Sequence, residues 1–517
     1  MRAWDYGTYP STHCWVRRIR SKSKSMSTSK SKINKSAIDK AVESAMRAWK
    51  TPGVAVAVVL GDEEYIRGYG VKEVGKDDPI TPNSLFAIAS MTKAFTTAAM
   101  AILVDEGKMS WDDHPRKYLP YFRLSDPAAD SLVTMRDLVS HRTGMPRHDA
   151  LWSVEERDAE EIVRRYGLAP HSTSFRSTYE YANVPFSAAG LAVGMVAGST
   201  WQEFLKERIF EPLGMTAVCK VSEAEKSADH SHGHVPYKGK VVLVPTPKHD
   251  NSTAAGAINA SATDMSKWIR LHLNDGEFDG KQIISKKNLD ETKKPHTVIP
   301  VENPDKYGFD SGTNLSTYCL GWGKDEYRGE IIIGHGGWLR GFTGNTVLIP
   351  RLPATGSRSD RDKAGITVLT NLAVGGESLS IRNSLLDILL GLPKRNWPAD
   401  FKRLNAAVKK EARETKAKEA RHTRTRPTRA LDAYVGEYED PAYGKLTVSM
   451  PDGALRMEYG EAKYNLKHFH FDTFTGKHDQ PEFWEAIKVM FTIGADGEVA
   501  SIKTLSPEFT AEFKRAK

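Results

Sequence analysis

The feature that most constrains this chain of 517 residues is a short stretch that opens a long apolar helix. Ser90 and Lys93 lie within it in the pattern Ser-x-x-Lys. Residues at this spacing share one face of a helix, so the lysine amine can reach the serine hydroxyl. A buried lysine with a lowered pKa can take the proton of a hydroxyl and make it nucleophilic. The stretch therefore predicts a serine enzyme that works by acyl transfer.

A second motif supplies other groups that such a site needs. Tyr181 and Asn183 follow in the stretch Tyr-Ala-Asn, before an apolar helix rich in small residues. Tyr181 can carry a proton to the leaving group if the nearby Lys93 lowers the pKa of its phenol. Asn183 can orient Lys93 and the substrate. With Ser90, these residues predict a nucleophile, a base and a route for the proton.

The third motif, His335-Gly336-Gly337, is predicted to end a strand that comes close to the acyl group. Its glycines leave space for a close approach of the backbone. The backbone N–H groups of Ser90 and of Trp338, the next residue, are then expected to stabilise the oxyanion of a tetrahedral intermediate.

In order and spacing, the three motifs resemble those of the serine β-lactamase and penicillin-binding-protein family, in particular its class C β-lactamases and their esterase and acyltransferase relatives. The resemblance covers roughly residues 37–392, and it includes the stretches 51–58, 103–108, 137–144, 212–215 and 255–265. It implies an α+β fold of the β-lactamase/transpeptidase-like kind, in which helices and a helical subdomain flank an antiparallel sheet.

The resemblance also implies roles for individual residues. Those with expected catalytic roles are Ser90, Lys93 and Tyr181. Those expected to contact the substrate or the oxyanion are Asn183, His335, Gly336, Gly337 and Trp338. No cofactor and no metal are expected for this chemistry.

The third motif departs from the pattern of β-lactamases, which usually carry a lysine where this chain has His335. A lysine there is a fixed cation for the carboxylate of a penicillin or a peptide. A histidine is mostly neutral at pH 7. Arg340 can replace the cation in part, although a surface position is expected for it. The departure favours a small-molecule ester or amide as substrate.

The order of the predicted elements gives the domain organisation. A strand pair, a helical block, several strands and a closing helix predict an antiparallel sheet with helices on both sides in a catalytic domain over residues 37–395. Helices are predicted over residues 36–49 and 154–166, and strands over 318–322 and 331–335. The remaining parts are a basic, disordered tail, a charged linker and a small all-β barrel that resembles a lipocalin-like domain, predicted over 1–36, 396–429 and 430–517.

The net charge of +8 comes largely from the tail and from an arginine cluster between Arg421 and Arg429, without a basic surface motif interleaved with aromatic residues. We therefore expect no nucleic-acid partner. We expect no membrane partner either, because no apolar run approaches the roughly 20 residues that span a bilayer. Three cysteines without C-x-x-C spacing favour a reducing compartment. A cytoplasmic location is expected, with a mitochondrial one as the alternative, and the oligomeric state is left open.

The sequence leaves two alternatives to the serine hydrolase open and disfavours two others. An acyltransferase that moves an acyl group to a small-molecule hydroxyl uses the same residues, and a catalytically silent binding protein can keep the same fold. An α/β-hydrolase is excluded because the chain has no Gly-x-Ser-x-Gly elbow. A zinc hydrolase would use the alternating histidines His230, His232 and His234, followed by His249, but solvated loop histidines are the expected interpretation.

Overall fold

A computed structural model describes most of the chain. The described residues are 32–154, 157–247, 250–251, 253–301, 312–353, 362–418, 421–478, 486–505 and 509–516.

The first part of the chain contains fourteen of the described strands. In chain order they are β1 (Gly53–Leu60), β2 (Glu63–Gly70), β3 (Phe86–Ala87), β4 (His234–Tyr237), β5 (Lys240–Leu243), β6 (Asn259–Ala260), β7 (Glu277–Phe278), β8 (Lys281–Gln282), β9 (Thr297–Ile299), β10 (Thr313–Tyr318), β11 (Gly323–Tyr327), β12 (Glu330–Leu339), β13 (Phe342–Ile349) and β14 (Ala364–Thr370). Eight of them form one sheet in the order β2-β1-β14-β13-β12-β11-β10-β9. The paired strands of this sheet are antiparallel, as the sequence predicted.

Helices surround this sheet and connect its strands. In chain order they are α1 (Lys35–Trp49), α2 (Thr92–Asp105), α3 (Pro127–Leu132), α4 (Met135–Leu138), α5 (Ala150–Ser153), α6 (Ala159–Tyr166), α7 (Val184–Ala197), α8 (Trp201–Leu205), α9 (Glu211–Leu213), α10 (Val221–Ala224), α11 (Thr253–Gly256), α12 (Ala262–Leu273), α13 (Lys286–Glu291), α14 (Gly376–Leu390) and α15 (Trp397–Lys418). A π-helical turn, Lys206–Phe210, joins α8 to α9.

Strand β1 shows why the sheet needs helices on both faces. All eight of its residues are buried, because the strand lies between β2 and β14 and helices cover both of its faces. Val54, Val56 and Val58 point to the core that contains α1 and α14. Ala55 and Ala57, which alternate with them, point to the larger core that contains α2 and α12. The sheet is therefore the central layer of an α+β fold, which confirms the predicted fold class.

The last part of the chain forms a closed barrel of eight antiparallel strands, β15 (Gly436–Asp440), β16 (Gly444–Ser449), β17 (Arg456–Tyr459), β18 (Ala462–His470), β19 (Thr473–His478), β20 (Ile487–Ile493), β21 (Val499–Thr504) and β22 (Glu512–Arg515). The first strand pairs with the last, which closes the barrel and removes the open edges. Its interior is filled by buried side chains, many of them aromatic. An eight-stranded barrel is just wide enough for such filling.

Three predicted elements have wrong bounds. The helix predicted over residues 154–166 begins at Ala159, because the side chain of Asp158 caps its first turn, and residues 155–156 lie outside the described residues. The strand predicted over 318–322 ends at Tyr318. A tight turn follows it, in which Gly321 has a positive φ and its Cα packs against the backbone of Lys93. The strand predicted over 331–335 continues to Leu339.

In the described part of the chain, no single helix has the length and hydropathy needed to cross a membrane. The helical segments Val184–Ala197 and Trp201–Leu213 together have the length and apolar composition of a membrane span, but the pair is bent by 76°.

A buried carboxylate, Asp137, ties together the loops that lead to Tyr181. Its oxygens accept hydrogen bonds from the Arg142 and Arg176 guanidinium groups, at 2.6 Å and 2.7 Å, and from the backbone and hydroxyl of Thr134. The backbone of Arg176 in turn donates to the carbonyl of Arg142 at 2.8 Å. One carboxylate therefore holds two segments that are more than thirty residues apart in the chain.

Replacing this carboxylate should destabilise the protein. We expect Asp137→Asn to lower the free energy of unfolding by about 3 kcal/mol, because it leaves two guanidinium groups beside a neutral amide. Urea denaturation followed by circular dichroism measures the change. The matched control is Glu160→Gln, which breaks an exposed pair with Arg164 and should cost less than about 0.5 kcal/mol. Equal losses in the two variants would contradict this role of Asp137.

The same carboxylate should make stability depend on pH. Burial favours a higher pKa for Asp137, but the hydrogen bond from Arg176 and the charge of Arg142 outweigh burial and lower the pKa below its usual value. A carboxyl group with a lowered pKa in the folded state stabilises the protein above its unfolded pKa, and this contribution is lost as the pH falls through the folded pKa. The free energy of unfolding of Asp137→Asn should therefore fall less than that of the wild type between neutral and acidic pH.

Candidate active site

The nucleophile candidate Ser90 lies in a tight turn at the start of a buried helix. A 3₁₀ turn, Ala89–Met91, leads directly into α2. Ala89 has a φ of 48°, in the left-handed region that is unfavourable for residues with a side chain. Hydrogen bonds hold the turn in place, since Ile88 N–H donates to the Ile258 carbonyl and Ile258 N–H donates to the Thr92 hydroxyl. Strain of this kind is often found at functional sites.

The structure brings Ser90, Lys93 and Tyr181 together around one oxygen atom. The phenol of Tyr181 donates a hydrogen bond to Ser90 Oγ at 2.8 Å. Lys93 Nζ lies 3.1 Å from the same oxygen. Lys93 is fully buried, while Ser90 is only partly buried and can be reached from solvent.

The surroundings of Lys93 favour its neutral amine. Burial lowers the pKa of Lys93 well below its usual value, and the charge of Arg147 lowers it further, against the opposing charge of Asp149. Besides Ser90, the Nζ atom contacts Asn183 Oδ1 at 2.8 Å and the Ala255 carbonyl at 2.9 Å. Both of these oxygens only accept hydrogen bonds, so they use the two N–H groups of a neutral amine. The lone pair of the amine is then left for the Ser90 hydroxyl.

The pKa of Tyr181 is raised, whereas the sequence analysis expected Lys93 to lower it. Burial raises the pKa of Tyr181 to about 12, although the hydrogen bond with Ser90 and the charge of Arg147 act in the opposite sense. An ammonium beside the phenol would lower this pKa, but burial makes the neutral amine the favoured state of Lys93. Tyr181 therefore keeps its proton at neutral pH and is a hydrogen-bond donor to Ser90.

Asn183 connects the lysine to a second layer of polar groups. It directly precedes α7, but its side chain makes no capping bond to that helix. Its Oδ1 accepts from Lys93, and its Nδ2 donates to Asp149 Oδ1 at 3.1 Å. Asp149 also accepts from Trp152 Nε1 at 2.9 Å and from Arg147 Nε at 2.7 Å. Reasoning from the sequence missed Asp149 and Arg147, which lie in a loop without a recognisable motif.

The prediction that the strand ends at His335 is wrong, because this residue lies inside β12. Its side chain borders the site. Its Nδ1 is 2.6 Å from the carbonyl of Gly336, and its Nε2 is 3.0 Å from the hydroxyl of Tyr318. Because a carbonyl only accepts hydrogen bonds, we assign the ring proton of His335 to Nδ1. The hydroxyl of Tyr318 then donates to Nε2. Burial lowers the pKa of His335 to about 3. His335 is therefore neutral and supplies no cation.

The two glycines after His335 let β12 pass close to the serine turn. A Cβ atom on Gly337 would lie 2.1 Å from the carbonyl oxygen of Ile88, so a side chain is excluded there. A Cβ atom on Gly336 would lie 3.2 Å from Asn345 Oδ1. The contact with Ile88 explains the glycine at position 337, whereas the contact at Gly336 is tight without excluding a side chain.

The register of β12 decides which way the backbone N–H of Trp338 points. A two-residue turn, which includes Arg340, joins Leu339 to Phe342 and makes them the closing pair of a hairpin. Pairs alternate along an antiparallel ladder between hydrogen-bonded and non-bonded ones. The Trp338 N–H therefore points away from β13, on the side where pairing with β11 has ended at Gly334. Its indole is largely exposed.

Other aromatic residues pack behind Tyr181. The ring of His141, which is buried, lies 4.2 Å from that of Tyr181 and 4.4 Å from that of Tyr318. Its Nδ1 accepts a hydrogen bond from the Ala182 N–H at 3.2 Å. Burial lowers the pKa of His141 well below its usual value. These contacts agree with the structural role that we expected for His141.

The alternating histidines do not form a metal site. Within the described residues, no group of three or more His, Cys, Asp or Glu side chains could hold a metal ion. Both ring nitrogens of His234 are used by the Val74 N–H and the Asn371 carbonyl. His249, the other ligand candidate, lies outside the described residues. The described part of the chain therefore does not support the zinc hydrolase.

Comparison with known proteins identifies the family of the chain. A model of the beta-lactamase family matches residues 38–390, and a model of a domain of unknown function matches residues 420–517. The chain is 26% identical to the unguisins hydrolase ungD of Aspergillus violaceofuscus, across 91% of this chain and 85% of that protein.

Two solved structures share the fold. The octameric penicillin-binding protein homologue from Pyrococcus abyssi has a TM-score of 0.57 and 21% identity, and the match covers 93% of this chain and 100% of that one. A class C beta lactamase from Rhodobacter sphaeroides has a TM-score of 0.54 and 20% identity, with 68% and 99% of the two chains covered. Since the family model matches well over half of the sequence, the chain belongs to the beta-lactamase family.

Proposed function

We propose that this protein is a serine hydrolase that cleaves a small-molecule ester or amide through an acyl-enzyme on Ser90. One observation carries the proposal: the oxygen of Ser90 lies between a base and an acid. Lys93 Nζ is 3.1 Å from it, and the phenol of Tyr181 is 2.8 Å from it. The pKa of Lys93 is lowered and that of Tyr181 is raised to about 12, so each residue is in the protonation state that its role requires.

In the acylation step, Ser90 Oγ attacks the carbonyl carbon as its proton moves to the lone pair of Lys93. The backbone N–H groups of Ser90 and Trp338 stabilise the oxyanion. When the tetrahedral intermediate breaks down, the phenol of Tyr181 gives its proton to the departing alcohol or amine. The Tyr181 phenolate that is left then lies close to the Lys93 ammonium, since Nζ is 4.9 Å from the centre of the ring.

In the deacylation step, water replaces the leaving group. The Tyr181 phenolate takes one proton from this water as its oxygen attacks the acyl carbonyl. Ser90 Oγ then leaves and recovers its proton from Lys93, so the protein returns to its starting state. An acyltransferase would use the same residues with an alcohol in place of water. The hydrolase is favoured because the fungal relative described above is named a hydrolase.

The charges of the site favour a neutral acyl group. Because the pKa of His335 is about 3, the position that would otherwise hold a fixed cation is uncharged. The guanidinium of Arg147 lies 5.3 Å from the centre of the Tyr181 ring, but it is paired with Asp149 at 2.7 Å. A substrate carboxylate would therefore lose its hydration without meeting a fixed cation at the position of His335.

Ser90 should be indispensable. We expect Ser90→Ala to lower kcat for p-nitrophenyl butyrate by about 10⁴-fold or more and to leave the melting temperature almost unchanged. The control Ser131→Ala removes an exposed hydroxyl on α3 and should keep full activity. A fluorescent fluorophosphonate should label the wild type at Ser90. An unlabelled wild type would favour the catalytically silent binding protein, and an active Ser90→Ala protein would refute the nucleophile.

The activity should fall in acid as Lys93 becomes protonated. The neutral amine is the active form, so kcat/KM is lost as the pH falls through the pKa of Lys93. Removing the nearby positive charge with Arg147→Gln should raise that pKa, because Arg147 lowers it. The acidic limb of the profile should therefore move to higher pH. Arg164→Gln, on the exposed face of α6, should leave the limb in place. An unmoved limb in Arg147→Gln would contradict the role of Lys93 as the base.

The substrate preference can be measured directly. We expect kcat/KM for p-nitrophenyl butyrate to exceed that for nitrocefin, which carries a carboxylate, by about 100-fold. The comparison, run with and without an added alcohol, also separates hydrolysis from acyl transfer to the alcohol. Equal rates on both substrates would show that a cation of this site does recognise the carboxylate.

A further inference from the structure

The C-terminal barrel contacts the catalytic part of the chain at the loop that carries Asp149. We call residues 147–154 the carboxylate loop. The Glu461 N–H, in a turn of the barrel, donates to the Val154 carbonyl at 2.8 Å. Arg157, just after this loop, donates to the carbonyl of Tyr443 at 2.7 Å. One end of the barrel is therefore hydrogen-bonded to the segment that surrounds the buried partners of the active site.

The most direct of these contacts joins Tyr443 of the barrel to His148 of the carboxylate loop. The Tyr443 hydroxyl lies 2.7 Å from His148 Nδ1, and His148 Nε2 lies 3.0 Å from the Pro170 carbonyl. Because the carbonyl only accepts, Nε2 carries the proton, and the tyrosine donates to Nδ1. Both side chains are buried, so each needs the hydrogen bond that the other provides.

His148 has a backbone that needs such support. Its φ is 47°, in the left-handed region that residues with a side chain rarely adopt. A conformation of this kind persists only when surrounding contacts hold it. The hydrogen bonds to Tyr443 and Pro170, on opposite sides of the imidazole ring, are contacts of that sort. Tyr443 thus helps to fix the backbone of His148 and thereby the position of Asp149, the next residue.

From Asp149, hydrogen bonds lead directly to the nucleophile. Asp149 accepts from Asn183 at 3.1 Å, Asn183 accepts from Lys93 at 2.8 Å, and Lys93 contacts Ser90 at 3.1 Å. A small displacement of the carboxylate loop would therefore move the amide that orients the base. Displacements of about 1 Å can lower a rate by about 100-fold.

Tyr443 is itself held rigidly. Its ring centre lies 5.1 Å from that of Phe509 and 6.1 Å from that of Tyr459, within the aromatic packing that fills this end of the barrel. A closely packed interior allows little movement of such a ring. The barrel can therefore serve as a fixed support for the loop.

We propose that Tyr443 is a positioning residue for the active site and that the C-terminal barrel contributes to catalysis by holding the carboxylate loop in place. Through His148 and the carboxylate loop, the barrel holds Asn183 and thereby the amine of Lys93 in line with Ser90. This inference rests on the proposed function, because it gives the barrel a role in the same reaction.

The test compares two variants that each remove one buried hydroxyl from the barrel. Tyr443→Phe removes the hydrogen bond to His148. Tyr438→Phe is the control, because its hydroxyl donates to the Tyr434 carbonyl within the barrel. At a temperature where both variants are fully folded, we expect Tyr443→Phe to lower kcat about tenfold with KM changed less than about twofold. Tyr438→Phe should keep the wild-type kcat at a similar melting temperature.

Hydrogen exchange followed by mass spectrometry tests the mechanical link without relying on activity. Amides of residues 147–154 should exchange faster in Tyr443→Phe than in the wild type, and Tyr438→Phe should match the wild type there. Equal exchange in the two variants, or equal kcat, would overturn the inference. If the fluorophosphonate does not label wild-type Ser90, the hydrolase proposal fails on that ground, and the exchange rates still decide whether the barrel holds the loop.

Discussion

The burial of one amine, that of Lys93, is the constraint on which the active site depends. A protonated ammonium without water is unfavourable unless an anion pairs with it, and the neighbours of this amine are neutral oxygens. Asn183 and Ala255 supply two acceptors, which suit a neutral amine with two N–H groups. Burial also raises the pKa of Tyr181 to about 12, so a neutral amine and a protonated phenol lie on either side of Ser90.

The fold achieves this burial by bringing backbone close to the helix that carries the lysine. Twelve of the fourteen residues of α2 are buried, and the Cα of Gly321 packs against the backbone of Lys93. On the other side of the serine turn, Gly337 allows β12 to approach the Ile88 carbonyl. A side chain at either glycine would push the strand or the turn away from the helix. The strained φ of Ala89 is maintained by this close packing.

The sequence was sufficient for the fold class and for the residues around Ser90, because each of them lies in a short motif or a strongly apolar run. The apolar stretch at β1 has the length of a strand, and the structure buries this strand on both faces. The sequence was not sufficient for groups whose role depends on contacts between segments that are distant in the chain, such as Asp149, Arg147 and Tyr318. It also gave the wrong direction for the pKa of Tyr181, since the effect of burial exceeds that of a neighbouring amine that is itself neutral. The helix over 154–166 was placed too early because the capping side chain of Asp158 was not recognised.

The carboxylate loop, in which the sequence showed no motif, is also the segment that contacts the C-terminal barrel. Asp149 holds the amide of Asn183 and pairs with Arg147, whose charge lowers the pKa of the Lys93 amine, while the charge of Asp149 itself raises that pKa. A change in the position of this carboxylate therefore alters both the geometry and the electrostatics of the base. Because His148 precedes it in the chain and is hydrogen-bonded to Tyr443, the support that we propose for the barrel would act on both. A domain with no group at the reacting atoms can in this way affect the rate of the reaction.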